Sequence, residues 1–249
     1  MLPPPFATAA WHRYWRILLP LLLAPFIAAL FEFTTLDQAL IAPFYDAHAH
    51  GFPLRDSALL QNLMHFGLKL AVVMVAAGVG GAVLLGFILP QWGRERRRLL
   101  WILAAMALST TLVSMLKTGS AMHCPWDVAE YGGYAPFHHL FERPPAGIAP
   151  GHCFPGGHAS GGFSLMAFYF AWRDRHTGRA RMALAAGWAM GMLMGWSQMM
   201  RGAHFMSHNI WSAWLVWTAM ALQYHFFPPV SLAAVMQPPL PGSRDAAAA

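Results

Sequence analysis

Six apolar runs divide this chain: Tyr14–Phe33, Phe66–Leu89, Leu99–Leu116, Ala159–Trp172, Met182–Met200 and Phe205–Phe227. Most approach the roughly 20 residues a helix needs to cross the hydrocarbon core of a bilayer. Ala159–Trp172 is short. It reaches that length only if its helix begins near Gly156, which places His158 in the first turn. Of the 249 residues 57% are apolar and only 10% charged, against roughly 25% charged in a soluble domain. The expected fold class is all-α: a polytopic membrane protein with six transmembrane helices in one bundle. Gly187, Gly191 and Gly195 recur every fourth residue in the fifth run, one helix face suited to close packing.

The arginines set the orientation. Arg13 and Arg16 precede the first run, Arg94-Glu-Arg-Arg-Arg98 follows the second, and Arg173, Arg175, Arg179 and Arg181 follow the fourth, while the intervening loops hold only Arg55, Arg143 and Arg201. Positive residues stay inside, so both termini are expected in the cytoplasm. The net charge of +6 then reads as a topology signal in a plasma or inner membrane, with no nucleic-acid partner. Thr34–His65, Lys117–Gly157 and the turn around Arg201 face the exported, periplasmic or extracellular side. The first run exceeds the 7–15 residues typical of a signal-peptide core, so it reads as an uncleaved helix. Residues 1–13 form a cytoplasmic segment, loose over Met1–Ala10. Residues 14–65 supply the first helix and an exported loop, 66–227 the main bundle, and 228–249 a disordered cytoplasmic tail, loose over Gln237–Ala249. Within the exported loop, Asp37, Asp56 and Tyr45-Asp-Ala-His-Ala-His50 read as a solvated loop or a flap over substrate. The tryptophans, Trp126, Trp211 and Trp217 among them, read as interfacial anchors or lipid-facing bulk.

Cys124 and Cys153 are the only cysteines and share one exported loop. In an oxidising compartment a disulfide is the favoured state. It would tie the end of the third apolar run to the Pro-Gly-Gly-His turn. The competing possibility is zinc, since His123-Cys124 and His152-Cys153 pair ligand types and His138, His139, His158, His204 and His208 lie on the same side. The short ligand spacings usual for zinc are missing from that loop.

Phosphate-ester cleavage needs cations for the phosphoryl oxygens, a nucleophile in line with phosphorus and an acid for the leaving oxygen. A neutral histidine can be the nucleophile and a second histidine the acid. The exported side offers Lys117 as cation, amides of Gly156, Gly157 and His158 at a helix start, and His158, His204 and His208 as catalytic imidazoles. Three segments carry them: Lys117-x6-Cys124-Pro125, Pro155-Gly156-Gly157-His158, and Ser197-Gln198-x5-His204-x3-His208. In spacing and order they resemble the type 2 phosphatidic acid phosphatase (PAP2) superfamily, whose pattern is Lys-x6-Arg-Pro, Pro-Ser-Gly-His and Ser-Arg-x5-His-x3-Asp.

The resemblance covers about Phe66 to Tyr224. It implies a helical bundle with its site at the exported membrane face and no metal or other cofactor. It makes His204 the phosphorylated nucleophile and His158 the proton donor, with Lys117 and the Gly156–His158 amides holding the phosphoryl group. Four positions depart from the pattern. Cys124 and Gln198 stand for the two arginines, Gly156 for the serine, and His208 for the aspartate that orients the nucleophile. Arg201, one turn past Gln198, is a candidate replacement cation, and Asp127 a candidate replacement carboxylate folded over the site. The implied activity is a lipid phosphatase acting on a lipid phosphate or diphosphate. A lipid phosphotransferase, a catalytically silent lipid-phosphate binder and a metal-binding membrane protein are the alternatives.

Overall fold

The computed structural model describes residues 5–93, 95–144 and 146–229. Arg94 and the tail from residue 230, including Gln237–Ala249, lie outside them. All extended regular structure among the described residues is helical. The strand-like pairings are two isolated bridges, Asp46 with Gly51 and Val128 with Ala135.

Helix α1 spans Pro5–Glu32 and α2 Leu36–Ile41. A π-helical turn over Leu60–Gly67 leads into α3, Leu68–Ile88. The short α4, Pro90–Gly93, precedes α5, Arg96–Thr118. After a long loop come α6, Gly157–Phe163, and α7, Ala167–Trp172, joined by a 3-10 turn. Helices α8, Thr177–Met200, and α9, Met206–Phe226, complete the bundle. Each apolar run thus lies on helix, and the fourth begins at Gly157 with His158 in its first turn. The first helix already includes Pro5–Ala10. Residues 5–10 are therefore helical rather than loose; Met1–Pro4 lie outside the described residues.

Among the described residues two helices are long and apolar enough to cross a membrane, Leu60–Ile88 and Arg96–Thr118, and a third if Ile17–Glu32 and Leu36–Phe44, bent by 74°, form one broken span. The other runs are weaker by composition. A 3-10 turn interrupts the fourth, Arg179 and Arg181 open α8, the helix of the fifth, and α9 carries Ser207, His208, Asn209 and Ser212 in its first two turns.

The main core gathers Ile102 and Val113 of α5, Phe163 and Phe170 of α6–α7, Met194 of α8, and Val216 and Met220 of α9. Glycine lets α8 approach α6. A Cβ at Gly191 would fall 2.2 Å from the Phe163 ring, and one at Gly162 would fall 2.6 Å from the Gly191 Cα. The four-residue glycine spacing therefore serves packing. A second core of Ile41, Phe52, Val128, Tyr131, Met199 and Phe205 lies beneath the loops at one end of the bundle. It ties residues 34–65 to the end of α8 and the start of α9. This region is not simply a solvated loop: Asp37 is buried, and its carboxylate accepts the Ser207 N–H at 2.8 Å. His48 and His50 are exposed, as a solvated loop requires.

Candidate active site

The sequence places the polar candidates at helix ends, and the packing brings those ends together. Lys117 is in the last turn of α5, His158 in the first turn of α6, Gln198 in the last turn of α8, and Arg201 caps that helix. His204 lies in the turn between α8 and α9. Lys117, His158, Gln198, Arg201 and His204 all line one cleft of about 200 Å³.

His204 is buried, and its Nδ1 lies 3.3 Å from Nδ1 of the fully buried His208. His204 itself precedes α9, so the four-residue spacing works across a helix start rather than along one face. One of two facing ring nitrogens must donate and the other accept. With Nδ1–H of His204 donating to His208, the Nε2 lone pair of His204 is the free one, which is the tautomer a nucleophile needs. Burial, and then the neighbouring Lys117, His208 and His158, hold the His204 imidazole well below its ordinary range, hence neutral at pH 7. His208 takes the orienting position of a carboxylate but brings no negative charge.

The Pro-Gly-Gly-His turn is pinned to α9. The Gly156 N–H donates to the His208 carbonyl at 3.0 Å, and the Ser212 hydroxyl donates to the carbonyls of Gly156, at 3.0 Å, and His208, at 2.8 Å. A Cβ at Gly156 would meet the Asn209 side chain at 2.9 Å. Gly156 therefore serves close approach, and its amide is already bonded. Only the Gly157 and His158 amides, in the first helical turn, remain suited to an oxyanion.

Cys124 and Cys153 form a disulfide with Cα atoms 5.3 Å apart. The Cys153 sulfur sits 3.5 Å from His204 Nδ1, so the bridge forms part of the wall behind the nucleophile candidate. Cys153, His204 and His208 bring their ligand atoms within 4.8 Å of one another. This set does not fit zinc: a disulfide sulfur offers no thiolate, and the two facing imidazole nitrogens already engage each other.

Two replacement residues behave differently. Arg201 lines the cleft, held by Nε donating to the Arg55 carbonyl at 2.9 Å and Nη1 to Gln198 Oε1 at 3.4 Å. The buried Gln198 Nε2 has no protein partner. Asp127 does not reach the cleft; its carboxylate accepts the Trp126 indole N–H at 3.1 Å. Trp126 lines the cleft beneath the Arg55 guanidinium, 4.6 Å from its ring centroid, and is not a lipid anchor. Gln61 and His65, on the π-helical turn, also line it. Sequence reasoning missed them, although His65 directly precedes the second apolar run on the side assigned to the chemistry.

A second, larger groove of about 590 Å³ runs along α3, α5 and α6, with Val72, Val73, Ala76, Leu103 and Met106 among its lining. It shares Lys117 and His158 with the polar cleft.

No curated protein and no solved structure matches the chain. A family model, described as PAP2 superfamily, matches residues 98–231, which include Lys117, His158, His204 and His208. Such membership implies phosphatase-type activity on phosphate esters. The match covers more than half of the chain, and the protein belongs to the PAP2 superfamily.

Proposed function

We propose that this protein is an integral membrane lipid phosphatase working through a phosphohistidine. The observation that carries the reading is the cleft where Lys117, His158 and His204 meet, with His208 Nδ1 behind His204 at 3.3 Å. Lys117, Arg201, Gln198 Nε2 and the Gly157 and His158 amides bind the phosphoryl oxygens. The His204 Nε2 lone pair attacks phosphorus in line, forming a P–N bond as the P–O bond to the lipid breaks. The leaving oxygen takes a proton from His158. Water then attacks the phosphohistidine and gives a proton back to His158, and the P–N bond breaks to release inorganic phosphate and restore His204. The chemistry of the donors asks for no metal and no other cofactor.

The apolar groove that opens onto Lys117 and His158 supports a lipid as the leaving group. The arginine distribution supports six spans in the cell's inner, or plasma, membrane, with cytoplasmic termini and the site on the exported face. Replacing water by a lipid hydroxyl in the second step turns the same scheme into a phosphotransferase.

The test is a panel of lipid phosphates and diphosphates in mixed micelles, scored for phosphate release and for transfer to added lipid alcohols, with wild type and His204→Ala. Release or transfer lost in His204→Ala supports the reading. Equal turnover by both proteins overturns it. A silent lipid-phosphate binder has one observation in its favour: the positions of the two family arginines hold Cys124, locked in the disulfide, and Gln198, whose oxygen is committed to Arg201. It predicts phosphate binding with no turnover.

A further inference from the structure

Outside the three motifs, one ionisable side chain enters the cleft from an element they do not include. His65 lies on the π-helical turn Leu60–Gly67. Its ring stacks on His158, with centroids 4.0 Å apart and planes tilted by 38°, and its edge meets Phe66 at 4.8 Å. His65 lines the cleft with Lys117, Arg201, Gln198 and His204. Its Nδ1 is buried and has no hydrogen-bond partner in the protein.

Each of these facts bears on function. A buried ring nitrogen without a partner costs stability unless something else satisfies it. The neighbouring Gln198 Nε2 is in the same condition. Two unpartnered buried polar atoms on residues of one cleft, alongside Lys117 and Arg201, describe a receptor awaiting an acceptor-rich anion. Single π-helical turns in α-helices recur at functional sites because the extra residue re-aims side chains. Here the turn delivers His65 to the face of His158.

We infer that His65 is a further phosphate-contacting residue of this site, donating a ring N–H to a phosphoryl oxygen and compensating for the arginines that Cys124 and Gln198 replace. The inference rests on the phosphate-ester reading of the cleft.

Two variants separate contact from packing. His65→Phe keeps a ring against His158 and Phe66 and removes both nitrogens. His65→Gln removes the ring and keeps an N–H donor. The measurement is the dissociation constant of orthovanadate, by calorimetry on the purified full chain in detergent, paired with KM and kcat on whichever lipid phosphate the wild type turns over. Loss of one hydrogen bond to a charged oxygen predicts a vanadate constant and KM weakened at least about tenfold in His65→Phe, with His65→Gln within a few-fold of wild type. Wild-type vanadate affinity in His65→Phe, with His65→Gln the damaged protein, makes His65 a packing residue and overturns the inference while the phosphatase reading stands. A wild type that neither binds vanadate nor turns over any substrate overturns both.

Discussion

The amino-terminal half of α9 and the length of α3 are built on opposite rules. Helix α9 buries Ser207, His208, Asn209 and Ser212, at most 4% exposed, next to His204. Helix α3 turns Leu70, Val73, Met74, Leu84, Phe87 and Ile88 outward, each more than half exposed. Polar groups inside and bulky apolar groups outside is the arrangement lipid demands, since unpaired polar groups are costly there and apolar surface is not. The difference separates the part of the bundle that builds the cleft from the part that faces outward. Within the polar interior of α9, the Ser212 hydroxyl and the His208 carbonyl hold the Gly156 turn and the His208 ring lies against His204, while the Ser207 hydroxyl and the Asn209 amide have no protein partner. The apolar exterior of α3 borders the groove that leads to the same cleft.

The largest expected effects lie on the polar side. His158→Asn keeps shape and removes the proton donor, so the rate of lipid phosphate cleavage falls by about 10³, with circular dichroism unchanged. Replacing both Cys124 and Cys153 by serine frees a 29-residue separation and costs about 3–4 kcal/mol on the chain-entropy account. Thermal unfolding of oxidised wild type against the double variant reads it.

On the apolar side, Met74→Lys puts a charge at a position 62% exposed, at the middle of Leu60–Ile88. In lipid this costs about 2.5–3.5 kcal/mol and lowers the membrane-inserted yield, whereas in water it would be close to neutral. An inserted yield equal to wild type would break the comparison. The smallest effect is on pH. The His204 imidazole is held well below its ordinary value of 6.5, so it stays neutral as pH falls from 7 through 6.5, and kcat/KM loses nothing through His204 in that window. Sign follows for stability too: the unfolded chain takes up a proton near 6.5 before the folded one does, so His204 makes folding stability fall as pH drops below 6.5.

Much of this contrast can be read in the chain. The six runs appear as helix because they are longer than the roughly 3–10 residues usual for a strand, and the helix start before His158 follows from Pro-Gly-Gly. The convergence of Lys117, His158 and His204 is likewise foreshadowed by motif spacing. What local reasoning does not reach is set by tertiary contact. Asp37 sits in what reads as a polar loop, yet α9 buries it by offering the Ser207 N–H. The Gly156 amide looks free in a Gly-rich turn until the His208 carbonyl claims it, 52 residues along the chain. Asp127, beside Cys124 in sequence, is turned to Trp126 by its own 3-10 turn. His65 reaches the cleft through a π-helical turn that no apolar periodicity announces.

The proposed reaction turns on a phosphoryl group carried by His204. Rapid acid-free quenching of the wild type during turnover of a labelled lipid phosphate, followed by peptide mass spectrometry, tests it directly. An acid-labile phosphoryl group is expected on the peptide containing His204, and none in His204→Ala. Turnover with phosphate on any other residue, or with no phosphorylated peptide at all, would contradict it.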